Sequence, residues 1–245
     1  MRHLPLLAAC ALATLSMLLI SAKCIENDSL RRSSNGDWMI AGEIHNETDI
    51  QGTGMVLQGT LLDAAGNEIA TAVTRGPRSL CPAELSPENL SAFYIIFPGS
   101  ANLPEPAGYR VNVIAGKALS EPLPKLALTT NGEATRELDF SVTLELTYRL
   151  QQAYPDRRLA MCISFYDSSG HVIDGFDSTA SFDLTQVGTD VTIVRPNLNR
   201  APGGATHLRY WLWLVVPGAV QVQSDHQAVV SDLIPLRSPI VITPR

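Results

Sequence analysis

Cationic runs are missing from this sequence. Its 18 Lys and Arg are outnumbered by 24 Asp and Glu, and the only adjacent pairs are Arg31-Arg32 and Arg157-Arg158. Nucleic acid is bound by clustered cations that displace counterions, so that class of partner is excluded. Cysteine is scarce as well. Cys10, Cys24, Cys81 and Cys162 are far apart, and no Cys-x-x-Cys or Cys/His cluster marks a zinc site. Only five histidines occur, none in a His-Glu-x-x-His, and there is neither a Gly-x-Ser-x-Gly nor a glycine-rich loop leading into a helix. The expectation is a protein without cofactor, metal or catalytic set. Helical periodicity is absent outside the N-terminus.

One long apolar run is present. Leu4–Ala22 is uncharged, follows Arg2 and His3, and is closed by Lys23. Nineteen residues can cross a hydrocarbon core, which needs roughly 20, and exceed a signal-peptide core of about 7–15. An uncleaved anchor, a signal cleaved after Ala22 and lipid attachment all stay open, with a buried core helix as the plain alternative. Each of the first three places the rest of the chain at the outer face of a cell membrane or in a secreted, extracytoplasmic form. The membrane is then a partner through this segment.

From Trp38 onward, strand-like segments follow one another between loops rich in Pro, Gly, Asn and Ser. Tyr109, Val111 and Val113 alternate with Arg110 and Asn112. Phe140, Val142, Leu144, Leu146 and Tyr148 alternate with Ser141, Thr143, Glu145 and Thr147. That period of two predicts half-buried strands with the first set inward. Between them, EPLPK and TTNGEAT within 119–135 disfavour a continuous element. The organisation read here is an N-terminal segment 1–23, a linker 24–36, a first β-domain 37–118, a linker 119–135 and a second β-domain 136–245. Pro235, Pro239 and Pro244 argue against a central strand near the C-terminus.

LLDAAGN (Leu61–Asn67) returns about a hundred residues later as FYDSSGH (Phe165–His171). Asp63 and Asp167 stand where a turn wants a side-chain acceptor for its own backbone. Gly66 and Gly170 stand where the chain takes a positive φ. Strands flanking each turn pair as a hairpin. The fold class expected is all-β: two tandem immunoglobulin-like β-sandwich domains.

The first unit carries GEIHN (Gly42–Asn46), LLDAAGN and CPAELSPENLSAF (Cys81–Phe93). The second carries ISFYDSSG (Ile163–Gly170). These motifs resemble FxLYD domains, small extracytoplasmic modules in which a G-x-V-x-N strand precedes the naming motif and a D-x-x-G hairpin follows it. Unit two lacks the G-x-V-x-N opening, and Gly59 stands at the first motif position of unit one. The resemblance implies a sandwich on membrane-attached or secreted proteins and carries over no catalytic residue.

Three candidate features remain. Trp211 and Trp213 share one face of a strand, with Tyr210, Leu212 and Leu214 on the other. They are core if both faces are buried, and a stacking platform for a sugar or a protein if one is exposed. Asp167, Asp174, Asp177 and Asp183 crowd one hairpin region, where solvated turn carboxylates are favoured over calcium. His45 and His171 fall at predicted turns. Cys162 reads as a small buried strand residue, and a Cys81–Cys162 bridge is disfavoured because the two lie in different predicted domains. The functional expectation is a non-enzymatic protein-binding or accessory module at the cell surface. Its end loops Asp49–Gly54 and Arg200–Thr206 are candidates for contact, and a carbohydrate-binding module using Trp211 and Trp213 is the alternative.

Overall fold

A computed structural model describes residues 23–33, 35–47, 50–74, 79–82, 85–87, 89–180, 182, 184–198, 201–216 and 224–238. The apolar segment 4–22 and the tail beyond Ser238 lie outside the described residues. Among these residues the chain is all-β, with one short 3-10 turn at Ser100–Asn102. No helix of the described residues is long and apolar enough to cross a membrane.

The strands are β1 (Lys23–Arg32), β2 (Trp38–Asn46), β3 (Gly52–Leu62), β4 (Glu68–Val73), β5 (Leu80–Cys81), β6 (Leu90–Ile96) and β7 (Gly108–Ala118). They continue with β8 (Leu128–Arg136), β9 (Val142–Leu150), β10 (Arg158–Tyr166), β11 (Val172–Ala180), β12 (Asp190–Leu198), β13 (His207–Val215), β14 (Val229–Val230) and β15 (Ile234–Arg237). They form one sheet β1-β2-β6-β5, another β4-β3-β7, and a larger one ordered β11-β10-β13-β15-β8-β9-β12 with β14 on β13. The order β1-β2-β6 with β4-β3-β7 therefore returns as β8-β9-β12 with β11-β10-β13. The second copy is closed by β15, which pairs antiparallel with β13 and parallel with β8. Each copy has a core between its facing sheets: Ile40, Leu57, Leu61, Phe93 and Ile95 in the first, Leu144, Leu146, Ile163, Phe165 and Leu212 in the second. The arrangement is sandwich-like in both.

A register of 104 residues relates the copies, since Asp63 and Gly66 recur as Asp167 and Gly170. The two turns share their bonding. Asp63 Oδ1 accepts from the amides of Ala65 and Asn67; Asp167 Oδ1 accepts from those of Ser169 and His171. Gly66 and Gly170 have φ of 82° and 85°, a region that penalises a Cβ. Both hairpins carry a register shift just before the turn, at Leu61/Leu62 and Phe165/Tyr166. Gly59 corresponds to Ile163, and its departure from the motif has a steric cause. A Cβ there would sit 3.0–3.1 Å from Ile40, Ile95 and Phe97.

Three expectations are corrected. The polar segment read as a linker at 24–36 is mostly β1, an edge strand that pairs with β2 through its backbone. The segment read as a linker at 119–135 contains most of β8. Its Asn131-Gly132 makes no turn, because the ring of Tyr210 and Ile234 occupy the space a Gly132 side chain would need. Pro235 lies inside β15, between β13 and β8. This is tolerated because Ile234 and Pro235 face β13 while Leu236 and Arg237 pair with β8.

Candidate functional site

The face shared by Trp211 and Trp213 is covered by the first unit. Tyr210, Leu212 and Leu214 enter the second unit's own core, while Trp211 (0% exposed) and Trp213 (5%) pack with Met39, Ala41, Ala92 and Tyr94 of unit one. Trp211 Nε1 donates to the Leu90 carbonyl at 2.9 Å. Both faces of β13 are buried, so the tryptophans form interface core and offer no stacking platform.

Alternate residues of β10 meet successive strands of unit one. Tyr166 reaches Glu43 on β2, Ser164 meets Tyr94 on β6, and Cys162 is disulfide-bonded to Cys81 on β5. The strands of unit two therefore run across those of unit one, an orthogonal sheet packing. The bridge disfavoured on sequence grounds forms because this packing brings β5 against β10. Glu43 is a fully buried carboxylate of the interface. Its carboxylate accepts from the Tyr166 hydroxyl, from Arg209 Nη1 and from Asn27 Nδ2. The side chains of Glu43 and Arg209 are 2% and 15% exposed. Burial, foremost, raises the Tyr166 hydroxyl pKa, so this group stays a donor.

A different part of unit two faces outward. Four turns share one backbone pattern, in which the first amide bonds to the fifth carbonyl and the fourth amide to the first carbonyl: Ser33–Asp37, Asp63–Asn67, Glu137–Ser141 and Asp167–His171. The fourth residue has positive φ in each: Gly36, Gly66, Phe140 and Gly170. By the 104-residue register Phe140 stands where unit one has Gly36. It was expected inward as the start of an alternating strand, yet β9 begins only at Val142. Phe140 is 59% exposed at φ 67°, and Leu138 beside it is 78% exposed. The tip is braced rather than loose. Asp139 Oδ1 accepts from Ser141 N and Oγ, the Ala201 amide donates to the Phe140 carbonyl, and Arg136 donates to the Ala205 carbonyl. Of the two end loops expected to make contacts, 200–206 thus supports this tip from Ala201 on. The other, 49–54, is largely consumed: Gln51 is buried and Gly52 begins β3.

The remaining ionisable candidates are dispersed. His45 lies within β2 rather than at a turn, half-buried, with donor atoms of Glu26 and Glu47 within 4.8 Å of one another and of its ring. That trio has the chemistry of a divalent-metal site, but both carboxylates are exposed. Asp167 serves its own turn and Asp174 accepts from Gly175 N, so no acidic cage is assembled from them; the Asp177 side chain and Asp183 lie outside the described residues. A cleft of about 260 Å³ beside β15 is spanned by the Arg237–Glu133 ion pair.

No family model matches this chain. No curated protein matches it either. Among solved structures, it is similar to a calcium-binding mutant of Bacteroides uniformis beta-glucuronidase 2, at 8% identity and a TM-score of 0.25, over 85% of this chain and 28% of that one. Bacteroides uniformis beta-glucuronidase gives 9% identity and a TM-score of 0.25, over 81% and 26%. The chain spans about a quarter of the length of these enzymes, and likeness at this level carries no argument about activity.

Proposed function

We propose that this chain is a non-enzymatic, extracytoplasmic binding or accessory module, membrane-tethered or secreted, built from two tandem immunoglobulin-like sandwiches of the kind FxLYD domains resemble. The strand order supports the immunoglobulin-like reading, since β15 completes unit two by pairing antiparallel on one side and parallel on the other. A buried inter-unit disulfide supports an oxidising compartment. The observation that carries binding is Phe140. A bulky residue held at positive φ costs roughly 1 kcal/mol or more, and such strain persists where a site needs the side chain in that place. Here it displays two large apolar side chains, Leu138 and Phe140, on either side of Asp139 and next to Glu137. Their complement is a protein socket with an apolar floor and a cationic rim.

A photo-crosslinking residue at position 138 should trap one discrete protein in intact cells. The same residue at exposed Asp190 should not, and Phe140→Gly should abolish the adduct while leaving the fold intact. Identical adducts from both positions, or the intact chain recovered with reduced cysteines from cytoplasm, would overturn the proposal.

A further inference from the structure

The two units differ at one edge. In unit two, the outer side of β13 is covered from His207 to Leu212: Leu208 pairs with Ile234, His207 with Pro235, Trp211 with Val230 and Leu212 with Val229. In unit one the corresponding strand is β7, because Val111 pairs with Gly59 as Tyr210 pairs with Ile163. The sheet β4-β3-β7 ends there, with no strand beyond β7 among the described residues. Burial follows the pairing. Leu208, Tyr210 and Leu212 are buried, whereas their counterparts Tyr109, Val111 and Val113 are only half-buried against their core.

We propose that the β7 edge, at Gly108–Val113, accepts an extended segment of a partner protein as an added strand, in the place β14 and β15 hold in unit two. The repeat states the required chemistry. The strands that fill this position in unit two set Val229, Ile234 and Leu236 against the core, so inward positions of the added strand are aliphatic. Outward on this stretch of β7 stand Asn112 and Arg110, the latter already ion-paired with Glu68 of β4, so outward positions of the partner segment are polar. Main-chain bonds supply the affinity and the alternating side chains the selectivity, as in other strand-addition modes. The bulge at Ile114, between the pairs Leu57–Val113 and Val56–Ala115, sets the ladder's end. The site is separate from the Leu138–Phe140 tip and does not depend on it.

The test uses the oxidised full chain and a labelled eight-residue peptide alternating Val and Glu. Fluorescence anisotropy should show saturable binding, and hydrogen exchange should slow across 108–113 but not across β13. Methylating alternate peptide amides should abolish binding, as should Val111→Pro in the protein, since Val111 corresponds to Tyr210, whose backbone faces Ser231; if that variant does not fold, the methylated peptide decides. No binding, equal binding of the methylated peptide, protection confined to β13, or a peptide-free dimer protecting 108–113 would each overturn the proposal.

Discussion

Glu43→Gln is the substitution that most directly probes how the two units are held. The amide keeps an oxygen for the Tyr166 hydroxyl but removes the countercharge of Arg209, whose side chain is 15% exposed. Deleting one partner of a buried ion pair costs about 3–5 kcal/mol, because the survivor remains desolvated and uncompensated. The amide retains one hydrogen bond, so the expected loss is near the lower end, about 3 kcal/mol. Arg209→Met should cost a similar amount, since it strands a carboxylate that is 2% exposed. The double variant replaces both charges, and its loss should fall short of the sum of the single losses by about 2 kcal/mol. Equilibrium urea unfolding followed by tryptophan fluorescence reads this well, since Trp211 and Trp213 lie in the same interface. A double-variant loss within about 0.5 kcal/mol of that sum would show that Glu43 and Arg209 act independently and would refute the reasoning.

Four further outcomes follow from the geometry. Replacing Cys81 and Cys162 together by Ala should lower stability by about 4 kcal/mol, from the chain entropy of a crosslink spanning 81 residues, measured by denaturant titration of the oxidised parent and the variant. Trp211→Ala should cost about 3–5 kcal/mol and leave retention on immobilised glycans unchanged. Phe140→Gly should raise the unfolding midpoint by relieving about 1 kcal/mol, whereas Gly170→Ala should lower it by a similar amount. Hydrogen bonds from Asn67, followed by backbone amides, lower the Asp63 pKa, so its NMR titration midpoint should fall below the usual carboxylate range. A depressed folded-state pKa means that the turn's contribution is complete above the unfolded value and fades as pH falls through the folded one. Asp63→Asn should therefore flatten stability against pH only on the acid side.

Much of the architecture was legible because burial on one face writes itself as alternation. Val142–Tyr148 and Tyr109–Val113 could be read as strands without a structure, and the two Asp-x-x-Gly turns declared the repeat. β1 and β8 were not legible. β1 lies at a sheet edge and β8 between β9 and the short β15; their polar sequences, KCIENDSLRR and LTTNGEATR, pair through backbone atoms and leave no apolar rhythm to detect. Asn131-Gly132 misled because its glycine answers to a tyrosine ring across the core rather than to a turn. The packing of one unit on the other was hidden for a similar reason. An all-apolar strand such as β13 declares that both faces are covered but not by what. The Leu138–Phe140 tip had one available signal: placing Phe140 against Gly36 through the 104-residue register would have shown an aromatic in a glycine's position.

The crossing of β10 over β2, β6 and β5 acts as a batten nailed across planks. Each plank is fastened separately, by a carboxylate, a hydroxyl pair and a covalent bridge. β1 is fastened by the neighbouring β11, where Ser29 Oγ and Arg31 donate to the carbonyls of Val172 and Ile173. Sliding or peeling any one strand of the first sheet must therefore strain its attachment to the second unit. Loss of the second unit would free all four at once, so mechanical load on either half is borne by both.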